Sequence, residues 1–413
     1  MEFRLTKRFC QILFALCVGI PMLNIYELTF AVWTIAALVT IHRRYSLGIL
    51  KQMACFASII LIAFVVFLFK DYLLYYIIRD ITYILKPLLG LMIGYQLAKR
   101  DFPDLIKTIA YTGFVIAAIH LTVLLISVPM HSAYNLNDVR LYGGYFSDFE
   151  VYAFVILLFH DKFGLEMGKR RRIIFTWIVG LSALSYFART NMIQFVILFM
   201  AMKGYFRLTK TSVTVLTTLF VFTVVSYSAI LWINPKREGD GIEALLYKIK
   251  IAPTEPFKTK IDRNDWKDFN DNYRSWENIL GIRQMTEDGW ATIIFGKGIG
   301  SKVDLKEEVW LGDMRLRYIS ILHNGYLTVF LKAGLVGVFL YLTTIFMLFR
   351  RPKSDIPIVK SLNLLLFGTG VFLIFSNWVF MGVYNLLDNK SILIGALICY
   401  REMAMRNPKP VEE

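Results

Sequence analysis

The sequence predicts an all-α integral membrane protein with about twelve transmembrane helices and a large extracytoplasmic loop. Three observations carry that prediction. Hydrophobic residues make up 56% of the 413, mean hydropathy is +0.53, and only 19% of residues are charged. Long apolar runs recur, as at 56–69, 211–233 and 362–375. Positive charge gathers in every second connection between these runs. Apolar runs of this kind mark helices, because lipid offers a backbone amide no partner outside its own helix.

In chain order, the spans are expected near 9–22, 25–41, 50–69, 72–97, 105–128, 148–160, 173–188, 190–206, 211–233, 318–349, 361–381 and 390–400. The chain therefore divides into nine helices over residues 1–233, a partly helical loop domain over 234–317, and three helices with a tail over 318–413.

A net charge of +15 suggests nucleic acid in a soluble protein, but its placement here argues otherwise. The terminal segments and alternate connections hold 24 Lys/Arg against 9 Asp/Glu, which accounts for the whole +15. They include Lys7 and Arg8, Arg43 and Arg44, the run Lys169-Arg170-Arg171-Arg172, and Arg350 and Arg351. Loop 234–317 holds 15 of each sign and is neutral. Positive charge marks the cytoplasmic side, so both termini are expected inside and loop 234–317 outside. The partner this charge implies is the lipid bilayer, not nucleic acid. No cleavable signal peptide is evident. Cys10, Cys17, Cys55 and Cys399 fall in expected spans, so neither a disulfide framework nor a metal cluster is predicted.

Two outside segments exceed a simple turn. The shorter, 129–147, is rich in tyrosine and carries Arg140, which could meet phosphate or glycan or simply the solvent. In the longer, Pro235, Pro253 and Pro256 break the first half. A helix is predicted from about Asn272 to Asp288, with Tyr273, Trp276 and Leu280 on one side. The glycines of 296–300 then form a turn. They lack the Lys-Ser/Thr ending of a phosphate loop, so no nucleotide site is expected there.

The most informative stretch runs from Ser320 to Gly337, at the outer mouth of the tenth span. Gly334 and Gly337 lie one helical turn apart, a spacing that lets another helix approach closely. His323 sits where lipid head groups meet water. A neutral imidazole there can take a proton from a sugar hydroxyl attacking a phosphorylated anomeric carbon. The plainer reading is a helix-capping His323-Asn324 pair above a glycine packing face.

His323-Asn324, nine residues, Gly334, two residues and Gly337 resemble the signature shared by O-antigen ligases and the O-antigen and exopolysaccharide repeat-unit polymerases. The glycine turn at 296–300 stands where that family has its Gly-x-Gly turn. Ala188-Arg189-Thr190 resembles the family's Ser-Arg-Thr stretch, with alanine in place of the small hydroxyl residue. The plain alternative for Arg189 is snorkelling to phospholipid phosphates. Arg274, two residues before Trp276, resembles the family's loop arginine before a tryptophan, with Arg283 as its substitute. Its plain alternative is a solvated pair with Glu277, worth a few tenths of a kcal/mol.

The resemblance implies a GT-C-like fold and a cofactor-free, metal-independent glycosyl transfer at the outer face of the bacterial inner membrane. The donor it implies is a polyprenyl (undecaprenyl) diphosphate-linked glycan, which brings its own leaving group to a compartment without ATP. Arg189 and Arg274 are expected to hold the diphosphate, and His323 to orient or deprotonate the acceptor hydroxyl. Asn324, Tyr326, Arg140 and Arg283 are the further substrate-contact candidates. A repeat-unit polymerase is expected over a ligase that uses lipid A core as acceptor; a chain-length regulator is a candidate partner. The rival from another class is a transporter or flippase, which would use the buried Arg79, Asp80 and Lys86 of the fourth span. Otherwise those three are expected to pair internally or to face a polar cavity, with Pro87 kinking the helix and His120 serving as a satisfied core histidine.

Overall fold

The computed structural model describes residues 5–131, 139, 148–237, 242–255, 258, 260–262, 265–311 and 314–407. Helices form at each apolar segment expected from the sequence: α1 (Lys7–Gly19), α2 (Tyr26–Val39), α3 (Leu47–Phe67), α4 (Leu74–Asp101), α5 (Leu105–Met130), α6 (Phe149–Leu158), α7 (Lys169–Ser185), α8 (Arg189–Lys203) and α9 (Lys210–Ile233). The polar region holds α10 (Ile242–Ile251), α11 (Trp266–Asp271), α12 (Tyr273–Glu287), α13 (Trp290–Phe295), β1 (Val303–Leu311) and β2 (Met314–Ile319). Three helices follow: α14 (Gly325–Leu348), α15 (Pro357–Phe380) and α16 (Lys390–Arg406). Among the described residues, five helices (α3, α5, α9, α14 and α15) are long and apolar enough to cross a membrane.

The fold is therefore nearly all-α, with one departure among the described residues. Strands β1 and β2 pair antiparallel, with Val303 opposite Ile319 and Leu311 opposite Met314. Residues 318–319, expected in the tenth helix, belong to this hairpin, and the helix begins at Gly325. The hairpin packs on α12. Trp276, Leu280, Met285, Val303, Leu305 and Leu322 form a small core that reaches Leu331 of α14. Burying this apolar surface fastens the loop domain to the helical body.

The centre of the helical body is the contact of α4 with α16. A Cβ on Gly94 would lie 1.9 Å from the Ile392 carbonyl oxygen, and one on Gly395 2.2 Å from that of Leu91. Only hydrogen fits at either place, so the two backbones nearly touch. The α4 charges Arg79, Asp80 and Lys86, of which Asp80 and Lys86 are buried, find partners inside the protein. Lys86 donates to the carbonyls of Asn385 (2.9 Å) and Leu386, Arg79 to Ser320 Oγ, and Asp80 pairs with Lys332. Lys390 bridges Asp148 and Asp388. Helix α4 continues unbroken through Pro87. His120 is satisfied by Ser182 Oγ at 2.7 Å and stacks on Tyr186. The four cysteines are free thiols.

Gly334 corrects one expectation. Its φ of 63° and ψ of −162° break α14, so it is not part of a continuous helical packing face. At the break, Leu331 O accepts from Lys297 N (2.8 Å) and Lys332 O from Gly298 N (3.1 Å). A second helix does come close there, with Ile294 O of α13 2.2 Å from where a Cβ would stand. Gly337 faces Ala333 and Val329 of its own helix. The Gly296–Gly300 turn is thus a clasp: Ile299 N donates to Ala63 O of α3, and Gly300 N to Asp80 of α4.

Candidate active site

Helix α12 forms where its apolar stripe predicts, bounded by Asn272 and Asp288. Glu277 falls on the same buried side as Trp276 and Leu280, while Arg274 and Asn278, four residues apart, share another face. The buried face turns to the loop-domain core. The other lines a cavity of about 520 Å³.

Arg189, the first residue of α8 and directly after its cap residue Ala188, lines the same cavity. Pro253 and Glu255 also line it, and Phe375, Trp378 and Val379 near the end of α15 supply an apolar wall. Arg189 Nη1 donates to Lys248 O at 3.1 Å, and Arg274 Nη1 lies 4.0 Å from Glu255 Oε1. Two guanidinium groups and an apolar wall make the cavity amphiphilic. Its chemistry suits an anionic head group carrying a hydrocarbon chain.

His323 lies in the connection between β2 and α14. Its Nδ1 is 2.9 Å from Oε2 and 3.1 Å from Oε1 of Glu277, and its backbone N–H donates to Oε2 at 3.1 Å. Glu277 is fully buried, whereas the His323 side chain is 39% exposed. Tyr273 meets the imidazole edge-on, with ring centroids 6.0 Å apart. Burial, reinforced by the Glu277 carboxylate, pushes the Tyr273 phenol well above its ordinary range, so it stays neutral.

The expected site residues separate into two groups. Arg189 and Arg274 line the same cavity; His323 and Asn324 are not among its lining residues, and His323 is joined to it only through Glu277 of the helix that presents Arg274. The pair of Arg274 with Glu277 does not form as the plain reading expected, because Glu277 turns to His323 and Arg274 to Glu255. Asn324 caps α14 through Oδ1, which accepts from Leu327 N at 3.1 Å, as the capping reading expected. Its buried Nδ2 has no hydrogen-bond partner. Tyr326 donates to Ile374 O at 3.2 Å and packs on Tyr341, and it is not among the cavity residues. Arg283 is exposed and also absent from the lining, which makes Arg274 the loop arginine of this cavity. Arg140 lies outside the described residues.

Sequence reading missed the part played by Glu277, although a signal was present. A glutamate on the apolar stripe of a predicted helix needs a buried partner. Glu255, Asn278 and the α15 wall gave no such local signal, since only the fold brings them together.

Fold and cavity define a class: a nearly all-α protein, with helices fit to cross a membrane, whose polar loop domain covers an arginine-bearing amphiphilic cavity. The chain matches no protein-family model and no curated protein.

Proposed function

We propose that the chain is a membrane glycosyltransferase that polymerises polyprenyl-diphosphate-linked oligosaccharide repeat units at the outer face of the bacterial inner membrane. One observation carries the reading: Arg189 and Arg274, far apart in sequence, line one cavity, and the helix bearing Arg274 also holds His323. In this reading the twelve apolar helices cross the bilayer, with both termini inside, consistent with the placement of the basic residues. The reading further gives the bundle a GT-C-like character.

Chemistry follows from these groups. The diphosphate of the donor rests on the two guanidinium groups, and its hydrocarbon chain on the wall at Phe375 and Trp378. An acceptor hydroxyl attacks the anomeric carbon. The new carbon–oxygen bond forms as the bond to the phosphate oxygen breaks, and the electron pair leaves with the diphosphate. The arginines stabilise that charge by electrostatics arranged before the reaction. The hydroxyl proton passes to His323 and from there to water or the released diphosphate. Direct displacement inverts the anomeric centre.

The test is a deletion strain complemented with variants, read as glycan chain length on gels. His323→Ala or Arg189→Ala should abolish polymer while the protein level holds, and unchanged long-chain glycan would sink the assignment. A single repeat on core in the deletion strain supports the polymerase. Bare core, with polymer stranded on its carrier, would instead make the acceptor lipid A core and the chain a ligase.

A further inference from the structure

We infer that Glu277 is the positioning residue of His323: its carboxylate holds the imidazole as the Nδ1–H tautomer and leaves Nε2 as the proton-accepting atom. What Nε2 accepts from rests on the transfer reading above; the tautomer itself does not.

Geometry makes the assignment. Both carboxylate oxygens lie within hydrogen-bond reach of Nδ1, at 2.9 and 3.1 Å. An ionised carboxylate has no proton to donate, so Nδ1 must carry one, and a neutral ring then has its lone pair on Nε2. Oε2 also accepts the His323 backbone N–H at 3.1 Å, so the carboxylate fixes both the chain and the ring. The grip comes from the buried side, since Glu277 is 0% exposed while His323 remains partly open. Nε2, across the ring from this contact, lies on the side away from Glu277. The titratable groups against the ring, Glu277 and Tyr273, both belong to α12.

That helix also places Arg274 and Asn278 in the cavity, three residues before and one after Glu277. One rigid helical segment therefore sets the proton acceptor and one of the proposed diphosphate clamps. During transfer Nε2 gains the hydroxyl proton as the carbon–oxygen bond forms. Glu277 stabilises the resulting imidazolium without being protonated itself. The ring returns to neutrality when Nε2 gives that proton to water or to the released diphosphate.

The tautomer can be read directly by ¹⁵N NMR of the full chain, histidine-labelled and held in lipid nanodiscs, with a His323→Gln variant identifying the signal. The wild-type ring should be neutral at Nε2 and protonated at Nδ1. An Nε2–H wild-type ring overturns the inference without any variant. In Glu277→Gln, one oxygen must still accept the backbone N–H, which turns the amide NH₂ toward Nδ1 and should convert the ring to the Nε2–H form. The same variant should lower kcat about 10²- to 10⁴-fold with little change in KM, and Glu277→Asp should recover part of the loss. A Glu277→Gln protein with the wild-type tautomer and kcat also overturns the inference. If the tautomer is as inferred but His323→Ala still makes polymer, the transfer reading fails while the positioning of the ring stands.

Discussion

Asp80 and Lys332 form a fully buried ion pair at the point where α14 breaks. The same carboxylate accepts Gly300 N–H at 2.7 Å, and the ammonium also donates to Ser301 O at 2.6 Å. The pair thus joins α4, the glycine turn and α14 in one polar knot. Removing one partner leaves the other charge buried alone, a change that costs about 3–5 kcal/mol. Asp80→Ala and Lys332→Ala should each lower the yield of monodisperse protein and its unfolding temperature in detergent. Asp80→Ala with Lys332→Ala should lose less than the two single costs added together, as the double-mutant cycle will show.

The two cavity arginines should be separable from the exposed one. Arg189→Ala and Arg274→Ala each remove a guanidinium from the site proposed for the diphosphate. With a synthetic lipid-linked repeat unit and purified protein, each should lose about 10²- to 10³-fold in rate. Lysine restores charge but not the two-pronged geometry, so Arg→Lys should recover only part of the loss. Arg283→Ala should behave as wild type, since that side chain is exposed and does not line the cavity. A large loss at Arg283 with none at Arg274 would reverse their roles.

Local pattern and long-range contact divided what the sequence could reveal. Helix α12 was legible to its ends because Tyr273, Trp276 and Leu280 repeat at helical spacing. The hairpin was less so. Val303, Leu305 and Val309 do alternate toward the core, but Lys306-Glu307-Glu308 between them reads as a solvated loop, and Lys306 has a φ of 66°. Gly334 and Gly337 read as a helical face because the donors that stabilise the break, Lys297 N and Gly298 N, come from another part of the chain. The cavity joins α8, α12 and α15 through tertiary packing, which no window of sequence displays.

Lowering the pH into the acidic range should loosen the loop domain. A two-pronged hydrogen bond from Arg317, at 3.0 and 3.2 Å, holds Asp304 below its ordinary carboxylate range. A hydrogen bond from Lys258 does the same for Asp268. A carboxyl whose folded pKa is depressed stabilises the fold above its unfolded value, and that contribution is lost as pH falls through the folded value. Amide hydrogen exchange over 265–319 should therefore quicken, relative to α4 and α16, as pH is lowered through the acidic range, after correction for intrinsic rates. Asp304→Asn should remove most of that acid sensitivity from the hairpin. Exchange that stays flat in the wild type would show that these two contacts contribute little.

Gly334 offers the sharpest separation of backbone from side-chain effects. At a φ of 63° any L side chain is strained, and the Ile294 carbonyl leaves no room for a Cβ. That φ/ψ pair lies in a region essentially reserved for glycine and costs another residue about 1–3 kcal/mol, and displacing α13 adds to it. Gly334→Ala should therefore unfold at a clearly lower temperature than wild type. Gly168→Ala is the control, because nothing lies within 4 Å of its Cβ position and its φ of −56° suits alanine. A helix that could simply straighten would take alanine at 334 without loss. The break is held by Lys297 N and Gly298 N, so straightening would orphan those two donors as well. Gly334→Ala should consequently loosen the glycine turn, seen as faster exchange at residues 297 and 298, even in detergent where the rest of α14 stays folded.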